Sequence, residues 1–235
     1  MNDDYYDATT GGPVVVYVCG EWVCGPANMQ SAYMQLGIKH KAKLIALEHR
    51  FYGHSQPFTE AEGGWSTENL MYLNVSQALA DTKQFIEYIN STLTVKTDNF
   101  LIVGGSYPGA MVAWFKHVYP DGVKAVWASS GVINTIQDYH HYDYSVYLTT
   151  QWCFNDAPKK IAMVSNDIER ILLGLDNTKW NRTDFLMQFN ATDGGINNGE
   201  FMYLVGDWAA GYIQTGQSDA LCKFLNSTEF MNDPL

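Results

Sequence analysis

Basic side chains are scarce in this sequence of 235 residues, which has 14 lysines and arginines against 25 aspartates and glutamates. The resulting net charge of −11 argues against a nucleic-acid partner, because binding to phosphates favours a basic face. No stretch reaches the roughly 18 to 20 consecutive apolar residues of a membrane-spanning helix, so we expect no membrane partner. The N-terminal segment also lacks the basic and apolar regions of a signal peptide.

Cysteines are few but even in number, namely Cys19, Cys24, Cys153 and Cys222. They allow two disulfides in any of three connectivities, and four buried free thiols are the alternative. A zinc site is not expected, because C-x4-C supplies only two ligands and no other pair has zinc-finger spacing. We therefore predict neither a metal nor an organic cofactor.

Five N-x-[ST] sequons favour passage through the secretory pathway, with a lysosomal, vacuolar or extracellular destination. This expectation conflicts with the missing signal peptide unless the sequence is incomplete at its start. The predicted glycosylation sites are Asn74, Asn90, Asn181, Asn190 and Asn226.

Short apolar runs that alternate with helix patterns predict an α/β fold. The runs are continuously apolar, as in parallel strands that are covered on both faces. One helix pattern spans residues 76–90 with Ser76 as a candidate N-cap, and a nearly all-apolar helix spans 109–119. The first pattern places one apolar face on Ala78, Leu79, Thr82, Phe85, Ile86 and Ile89. The predicted strands are 13–20, 42–50, 99–105 and 123–132.

The pattern changes after about residue 135, where strand-like runs cease. Residues 157–175 and 200–214 are predicted to be helices, and residues 176–185 and 190–200 are predicted to be loops. The sequence therefore predicts a helical second region after the fourth strand.

The segment LIVGGSYPGAMVAWFKHVYP, residues 101–120, predicts a strand, a tight turn and a helix, with Ser106 at the turn. Hydrolases present a nucleophilic serine in this way, and the tight turn demands small neighbours in the pattern G-x-S-x-G. Gly104 fits the first small position, whereas Pro108 replaces the second and Gly109 follows it. Proline suits the first turn of a helix. The alternative is an inert serine in a glycine-rich turn.

Several blocks together resemble the family of serine peptidases that contains lysosomal prolyl carboxypeptidase and dipeptidyl peptidase II. The most specific block is LIALEHRFYGHSQPF at residues 44–58, and QALAD at 77–81 follows it in the same order. Residues 104–132 and 203–225 extend the resemblance over nearly the whole chain.

The resemblance implies an α/β-hydrolase core with a partial parallel sheet in residues 1–135 and a helical cap region in 136–235, without the late core strands. It implies a serine exopeptidase that cleaves peptides near a prolyl residue through an acyl-enzyme. Ser106 matches the nucleophile and the Tyr107 N–H matches an oxyanion donor, while Gly20 and Glu21 fall near a second oxyanion loop. Cys153 and Cys222 flank the cap helices and are expected to pair there.

The catalytic base is not found among the six histidines. In α/β hydrolases the order along the chain is Ser, Asp, His, and the last two follow late strands that this sequence lacks. His49 and His54 are interpreted as structural parts of the EHRFYGHS block, held by ion pairs and hydrogen bonds among Glu48, His49 and Arg50. We therefore expect the 235-residue chain to be part of a larger enzyme and inactive by itself.

Two other function classes stay open at this point. One is an esterase or lipase on the same fold, since fold alone does not fix chemistry. The other is a non-catalytic or vestigial protein that ends here. The expected partner is a peptide with proline near one terminus, and carboxypeptidase and dipeptidyl-peptidase specificity are not distinguished. A homodimer is an open alternative for the assembly.

Overall fold

The computed structural model describes residues 2–25, 31–175, 180–191 and 195–227. The chain forms two compact units, Met1–Thr135 and Ile136–Leu235. All strands of the described part belong to the first unit, and the described part of the second unit is helical.

One parallel sheet with the strand order β2-β1-β3-β4 forms the centre of the first unit. Each strand lies within one of the four predicted apolar runs, so the predicted α/β fold is confirmed. Val16 of β1 is in register with Ile45 of β2 and with Ile102 of β3, which aligns branched side chains across the sheet. The strands are β1 (Val14–Val18), β2 (Lys43–Leu47), β3 (Phe100–Gly105) and β4 (Ala125–Ser129).

Helices pack on both faces of the sheet because successive side chains of a strand point to opposite sides. Val14, Val16 and Val18 join the larger core with helices α3 and α4, whereas Val15 joins a smaller core with Met34 of α1. The helices of this unit are α1 (Ala32–Lys39), α2 (Thr67–Leu70), α3 (Val75–Thr92) and α4 (Tyr107–Val118).

Helix α3 confirms the predicted apolar face, since Ala78, Leu79, Thr82, Ile86 and Ile89 are buried and Phe85 is half-buried. The predicted N-cap is wrong. The cap is Asn74 rather than Ser76, because the Asn74 side-chain oxygen accepts a hydrogen bond from the N–H of Gln77 and the helix begins two residues earlier than the predicted cap would place it.

Strand β4 differs from the prediction of a strand covered on both faces. Trp127 is partly exposed, and Ala125, Ala128 and Ser129 are exposed. The reason is its place in the sheet. It pairs only with β3 in the described structure and stands at the edge of the strand order.

The described part of the second unit contains two apolar clusters, and Val164 packs against both. One gathers side chains of α6, α7 and α8 around Phe185 and Phe201, and the other joins α6, α8 and α9 around Ala209 and Leu221. Within the described residues, no helix combines the length and apolar character needed to cross a bilayer. The helices are α5 (His140–Thr150), α6 (Ala157–Leu172), α7 (Arg182–Gln188), α8 (Asn198–Gln214) and α9 (Ser218–Leu225).

Helix α7 lies partly in a segment that was predicted to be a loop. It begins there because the Asn181 side chain accepts the N–H of Asp184 and so caps the helix. The predicted loop positions 176–179 and 192–194 lie outside the described residues.

Candidate active site

Ser106 lies at the sharp corner between β3 and α4, as the sequence predicts. Its backbone has φ 62° and ψ −128°, a conformation that L residues with a side chain rarely adopt. The Ser106 N–H donates to the carbonyl oxygen of Ser129 at 2.9 Å, which ties the corner to the end of β4. The Ser106 side chain is exposed and forms no hydrogen bond with any described residue.

Two glycines make this corner sterically feasible. A Cβ at Gly104 would collide with the backbone carbonyl of Pro108, and a Cβ at Gly109 would lie 2.5 Å from the carbonyl oxygen of Ser129. The second small position is therefore filled by Gly109, one residue later than in G-x-S-x-G. Pro108 fits because it occupies the first turn of α4, where no N–H donor is needed.

Two chain segments that meet near the corner carry backbone N–H donors without an acceptor among the described residues. Tyr107 is the first residue of α4, and its N–H has no acceptor among the described residues. The N–H groups of Gly20 and Glu21, after β1, also have no acceptor there. A side chain at Gly20 would come within 2.8 Å of the Pro108 ring, so the chain after β1 lies against the first turn of α4. Two donors from different loops are the usual composition of an oxyanion hole.

The loop that carries Gly20 and Glu21 is closed by a disulfide between Cys19 and Cys24. Glu48, after β2, accepts the N–H of Cys24 at 3.0 Å through one carboxylate oxygen and the N–H of His54 at 2.9 Å through the other. The hydrogen bond from Cys24 lowers the pKa of Glu48 most, against burial, and donors from Ser55 and His54 lower it further. Glu48 therefore holds two loops together as a carboxylate.

The contacts of the EHR segment differ from the expected cluster among Glu48, His49 and Arg50. Arg50 instead forms a two-pronged ion pair with Asp81 of α3, with both N–O distances at 2.6 Å. His49 is buried, and its Nε2 lies 3.0 Å from the hydroxyl oxygen of Tyr107. One expected hydrogen bond is present, since His49 Nδ1 lies 2.7 Å from the carbonyl oxygen of Arg50. The rest of the expectation was wrong, because the Glu48 and Arg50 side chains bond to different neighbouring elements.

The surroundings of the Tyr107 hydroxyl affect its pKa. Burial raises the pKa of the Tyr107 hydroxyl, and the nearby Tyr52 and Glu21 side chains raise it further. The hydroxyl therefore stays protonated at neutral pH and can donate a hydrogen bond to His49.

No histidine in the described part of the first unit is placed as a general base for Ser106. In that part, none of His40, His49, His54 and His117 forms a hydrogen bond with Ser106. His49 is the buried one of the four, and both of its ring nitrogens already have partners.

The second unit contains the other disulfide, between Cys153 and Cys222, whose α-carbons are 4.8 Å apart. This confirms the expected pairing and leaves no free cysteine among the described residues. It connects the chain just after α5 to α9 across 69 positions of sequence.

The five sequon asparagines lie at helix ends. Asn74 and Asn181 are N-caps of α3 and α7, and Asn90 is half-buried, where its side chain accepts the N–H of Thr97. Asn190 and Asn226 are exposed just after α7 and α9.

Comparison with known proteins bears on the chemistry of the corner. The sequence model of the family described as serine carboxypeptidase S28 matches residues 1–217. The chain belongs to this family. The resemblance drawn from the sequence blocks is thereby confirmed.

Several curated proteins are similar to this S28 chain. The Arabidopsis thaliana protein named "Probable serine protease EDA2" is 32% identical over 229 residues, which are 93% of this chain and 43% of that protein. The Bos taurus protein named lysosomal Pro-X carboxypeptidase is 34% identical over 140 residues, 57% of this chain and 27% of that protein. The Homo sapiens protein of the same name is 31% identical over 140 residues. The chain thus spans less than half the length of these relatives.

Sequence reasoning missed the roles of Asp81 and His49 in this family member. The sequence pointed to these two residues only because both lie in blocks that carry the family resemblance. Nothing in the linear pattern shows that Asp81 meets Arg50 or that His49 meets Tyr107, because these pairs are 31 and 58 positions apart.

Proposed function

We propose that this chain provides the nucleophile and oxyanion-binding part of a serine exopeptidase that cleaves peptides near a prolyl residue. The observation that carries the proposal is the exposed Ser106 in a strained backbone conformation at the start of α4, in a chain of the S28 family. Strain of this kind costs free energy and is typical of functional sites. An inert serine at this turn would gain stability by replacement with glycine.

In the proposed reaction, Ser106 Oγ attacks the carbonyl carbon of the scissile peptide bond. The Oγ proton passes to a general base, and the carbonyl oxygen becomes an oxyanion that accepts hydrogen bonds from the Tyr107 N–H and an N–H of the Gly20–Glu21 loop. Return of the proton to the leaving amine breaks the peptide bond and leaves an acyl-enzyme. Water then attacks the ester and restores Ser106.

We assign the general base and its orienting carboxylate to sequence other than residues 1–235. Two observations support this assignment. No histidine of the described first unit bonds to Ser106, and the chain spans only 43% of the Arabidopsis relative. In the α/β-hydrolase interpretation, Met1–Thr135 is the first part of the catalytic core and Ile136–Leu235 is the helical cap.

The proline preference rests on the names of the bovine and human relatives, both called lysosomal Pro-X carboxypeptidase. We extend it to this chain together with a location in the secretory pathway, lysosome or vacuole. Two disulfides support that compartment, because disulfides persist where the environment is oxidising. Glycan removal by an amidase, followed by mass spectrometry of the five sequon peptides, tests the glycosylation that this location implies.

The activity test uses the complete gene product and two peptide series, with proline next to the C-terminal residue or next to the N-terminal residue. We expect hydrolysis in one series, loss of activity in Ser106→Ala, and no activity from residues 1–235 alone. Turnover of aryl esters without turnover of either peptide series would favour the esterase alternative. Absence of all Ser106-dependent hydrolysis would favour a non-catalytic protein.

A further inference from the structure

His49 is buried, with only 5% of its surface exposed, and both of its ring nitrogens form hydrogen bonds. Its Nδ1 lies 2.7 Å from the carbonyl oxygen of Arg50, which can only accept a hydrogen bond, so Nδ1 carries a proton. In the neutral ring Nε2 is then an acceptor, and the Tyr107 hydroxyl donates to it at 3.0 Å. The tautomer of His49 is therefore set by a backbone carbonyl.

Tyr107 links this histidine to the backbone of the corner. Its ring contacts the His49 ring, with centroids 5.6 Å apart, and lies beside Gly20 on the loop after β1. Its hydroxyl is held at one end, and its N–H, free of other acceptors in the described structure, lies at the other. A rotation of the Tyr107 backbone that carries the side chain with it would move the hydroxyl away from His49.

His49 is in turn held by a rigid support. The neighbouring Arg50 pairs with both carboxylate oxygens of Asp81 on α3 and donates to the carbonyl oxygen of Tyr72 at 2.9 Å. The Arg50 guanidinium is thus held at three points. The carbonyl that His49 uses is fixed because the N–H of the same peptide unit, that of Phe51, donates to the carbonyl oxygen of Ser55 at 2.9 Å. A continuous series of hydrogen bonds and covalent links leads from α3 to the residue after Ser106.

We propose that His49 is a positioning residue, which fixes the direction of the Tyr107 N–H through the Tyr107 hydroxyl and so aligns it with the oxyanion. This inference rests on the proposed function, because only an acyl-transfer site creates an oxyanion here. An oxyanion donor acts mainly in the transition state, and a small misplacement weakens it without weakening the binding of substrate.

Tyr107→Phe tests the proposal, because it keeps the ring and the backbone N–H and removes only the hydroxyl. In the complete gene product we expect kcat to fall roughly 10- to 100-fold while KM changes less than about 3-fold. Inhibition by a peptide aldehyde, whose hemiacetal adduct with Ser106 places its former carbonyl oxygen at the oxyanion position, is expected to weaken by a similar factor. Tyr52→Phe is the matched control, since the Tyr52 ring touches His49 at 5.3 Å but its hydroxyl forms no hydrogen bond with it.

Variants of His49 provide a second measurement. His49→Gln retains an acceptor for the Tyr107 hydroxyl and is expected to keep more kcat than His49→Leu, which retains none. The double variant His49→Leu, Tyr107→Phe is expected to lose no more than the worse single variant, because both remove the same bond. If the leucine variants do not fold, the split between kcat and KM in Tyr107→Phe decides alone.

The failures of the two proposals are distinguishable. The positioning role is overturned if the wild-type activity depends on Ser106 but Tyr107→Phe leaves both kcat and the aldehyde inhibition unchanged. The proposed function stands in that case. A wild-type gene product without Ser106-dependent hydrolysis overturns both, since no oxyanion then forms. Equal losses in Tyr52→Phe and Tyr107→Phe also overturn the positioning role.

Discussion

The Arg50 guanidinium and the Asp81 carboxylate form two parallel hydrogen bonds of 2.6 Å, which connect the segment after β2 to the middle of α3. Planar, two-pronged pairs of this kind are the stronger ion pairs in proteins. Arg50 is largely buried here, with 16% of its side chain exposed, so solvent screens the pair incompletely. The pair joins two sequence blocks that carry the family resemblance, EHR and QALAD.

Asp81→Asn is expected to lower the free energy of unfolding of the first unit by about 1–3 kcal/mol, because it leaves a largely buried guanidinium without its counter-charge. Urea unfolding followed by tryptophan fluorescence measures the change. The matched control is Asp98→Asn, which breaks an exposed ion pair with Lys124 and is expected to have no measurable effect. Equal destabilisation by both variants would show that the burial of Arg50 is unimportant.

Gly104→Ala tests the close contact between β3 and α4. The added Cβ would collide with the Pro108 carbonyl, so the backbone must shift, and we expect a loss of roughly 2–4 kcal/mol of stability. Gly206→Ala is the opposite case, because Gly206 lies exposed within α8 with open space around its Cα. The Gly206→Ala variant is expected to be more stable than the wild type by about 0.5–1 kcal/mol in its free energy of unfolding. Thermal unfolding of both variants checks the contrast, and a stable Gly104→Ala protein would contradict the described corner.

Ser106→Gly is expected to stabilise the protein by about 0.5–1 kcal/mol while it abolishes activity. Glycine tolerates φ 62° without a steric penalty, whereas serine pays for it. Ser106→Ala also removes the hydroxyl but keeps the Cβ, so its stability should match that of the wild type. Chemical denaturation of the three proteins compares them, and equal stability of the glycine and alanine variants would argue against strain at this corner.

The two disulfides should contribute unequally to stability. In the chain-entropy estimate, the Cys153–Cys222 bond with its separation of 69 contributes about 4 kcal/mol, and the Cys19–Cys24 bond with a separation of 5 contributes about 2 kcal/mol. Double Cys→Ala variants, studied by hydrogen exchange resolved to each unit, measure the two losses. A larger loss from the short loop would show that enthalpy, rather than loop entropy, dominates.

The pH dependence of stability should report on Glu48. Its pKa is lower in the folded protein than in the unfolded chain, so the carboxylate stabilises the fold fully above the unfolded pKa. That contribution is lost as the pH falls through the lower folded pKa. The stability difference between the wild type and Glu48→Gln should therefore be constant near neutrality and shrink in acid. Urea unfolding at several pH values measures it, and parallel curves would contradict the role of Glu48.

Local patterns were sufficient to predict the four strands, the buried face of α3 and the corner at Ser106. Each depends on the residues of one segment and on simple periodicity. The partners of Glu48, His49 and Arg50 were not predictable in this way, because a polar side chain bonds to whichever group the tertiary fold brings close.

The ends of elements were predicted less well than their existence. The cap of α3 depends on one hydrogen bond from Gln77 to Asn74, and α7 begins at a similar cap within a polar segment. The exposure of β4 was also missed, since an apolar run indicates a strand but does not indicate its place in the sheet.

The corner at Ser106 is held by backbone atoms and by the absence of side chains at Gly104 and Gly109. Such a support makes no demand on the side chain at position 105, where an added Cβ would meet no atom closer than 4.0 Å. Evolution can therefore exchange residue 105 to tune reactivity or selectivity without rebuilding the turn, whereas Tyr107 is tied to His49 through its hydroxyl. The same support makes the corner sensitive to substitution at Gly104 and Gly109. One added methyl group at either glycine would force the backbone to shift, and no neighbouring side chain can restore its position.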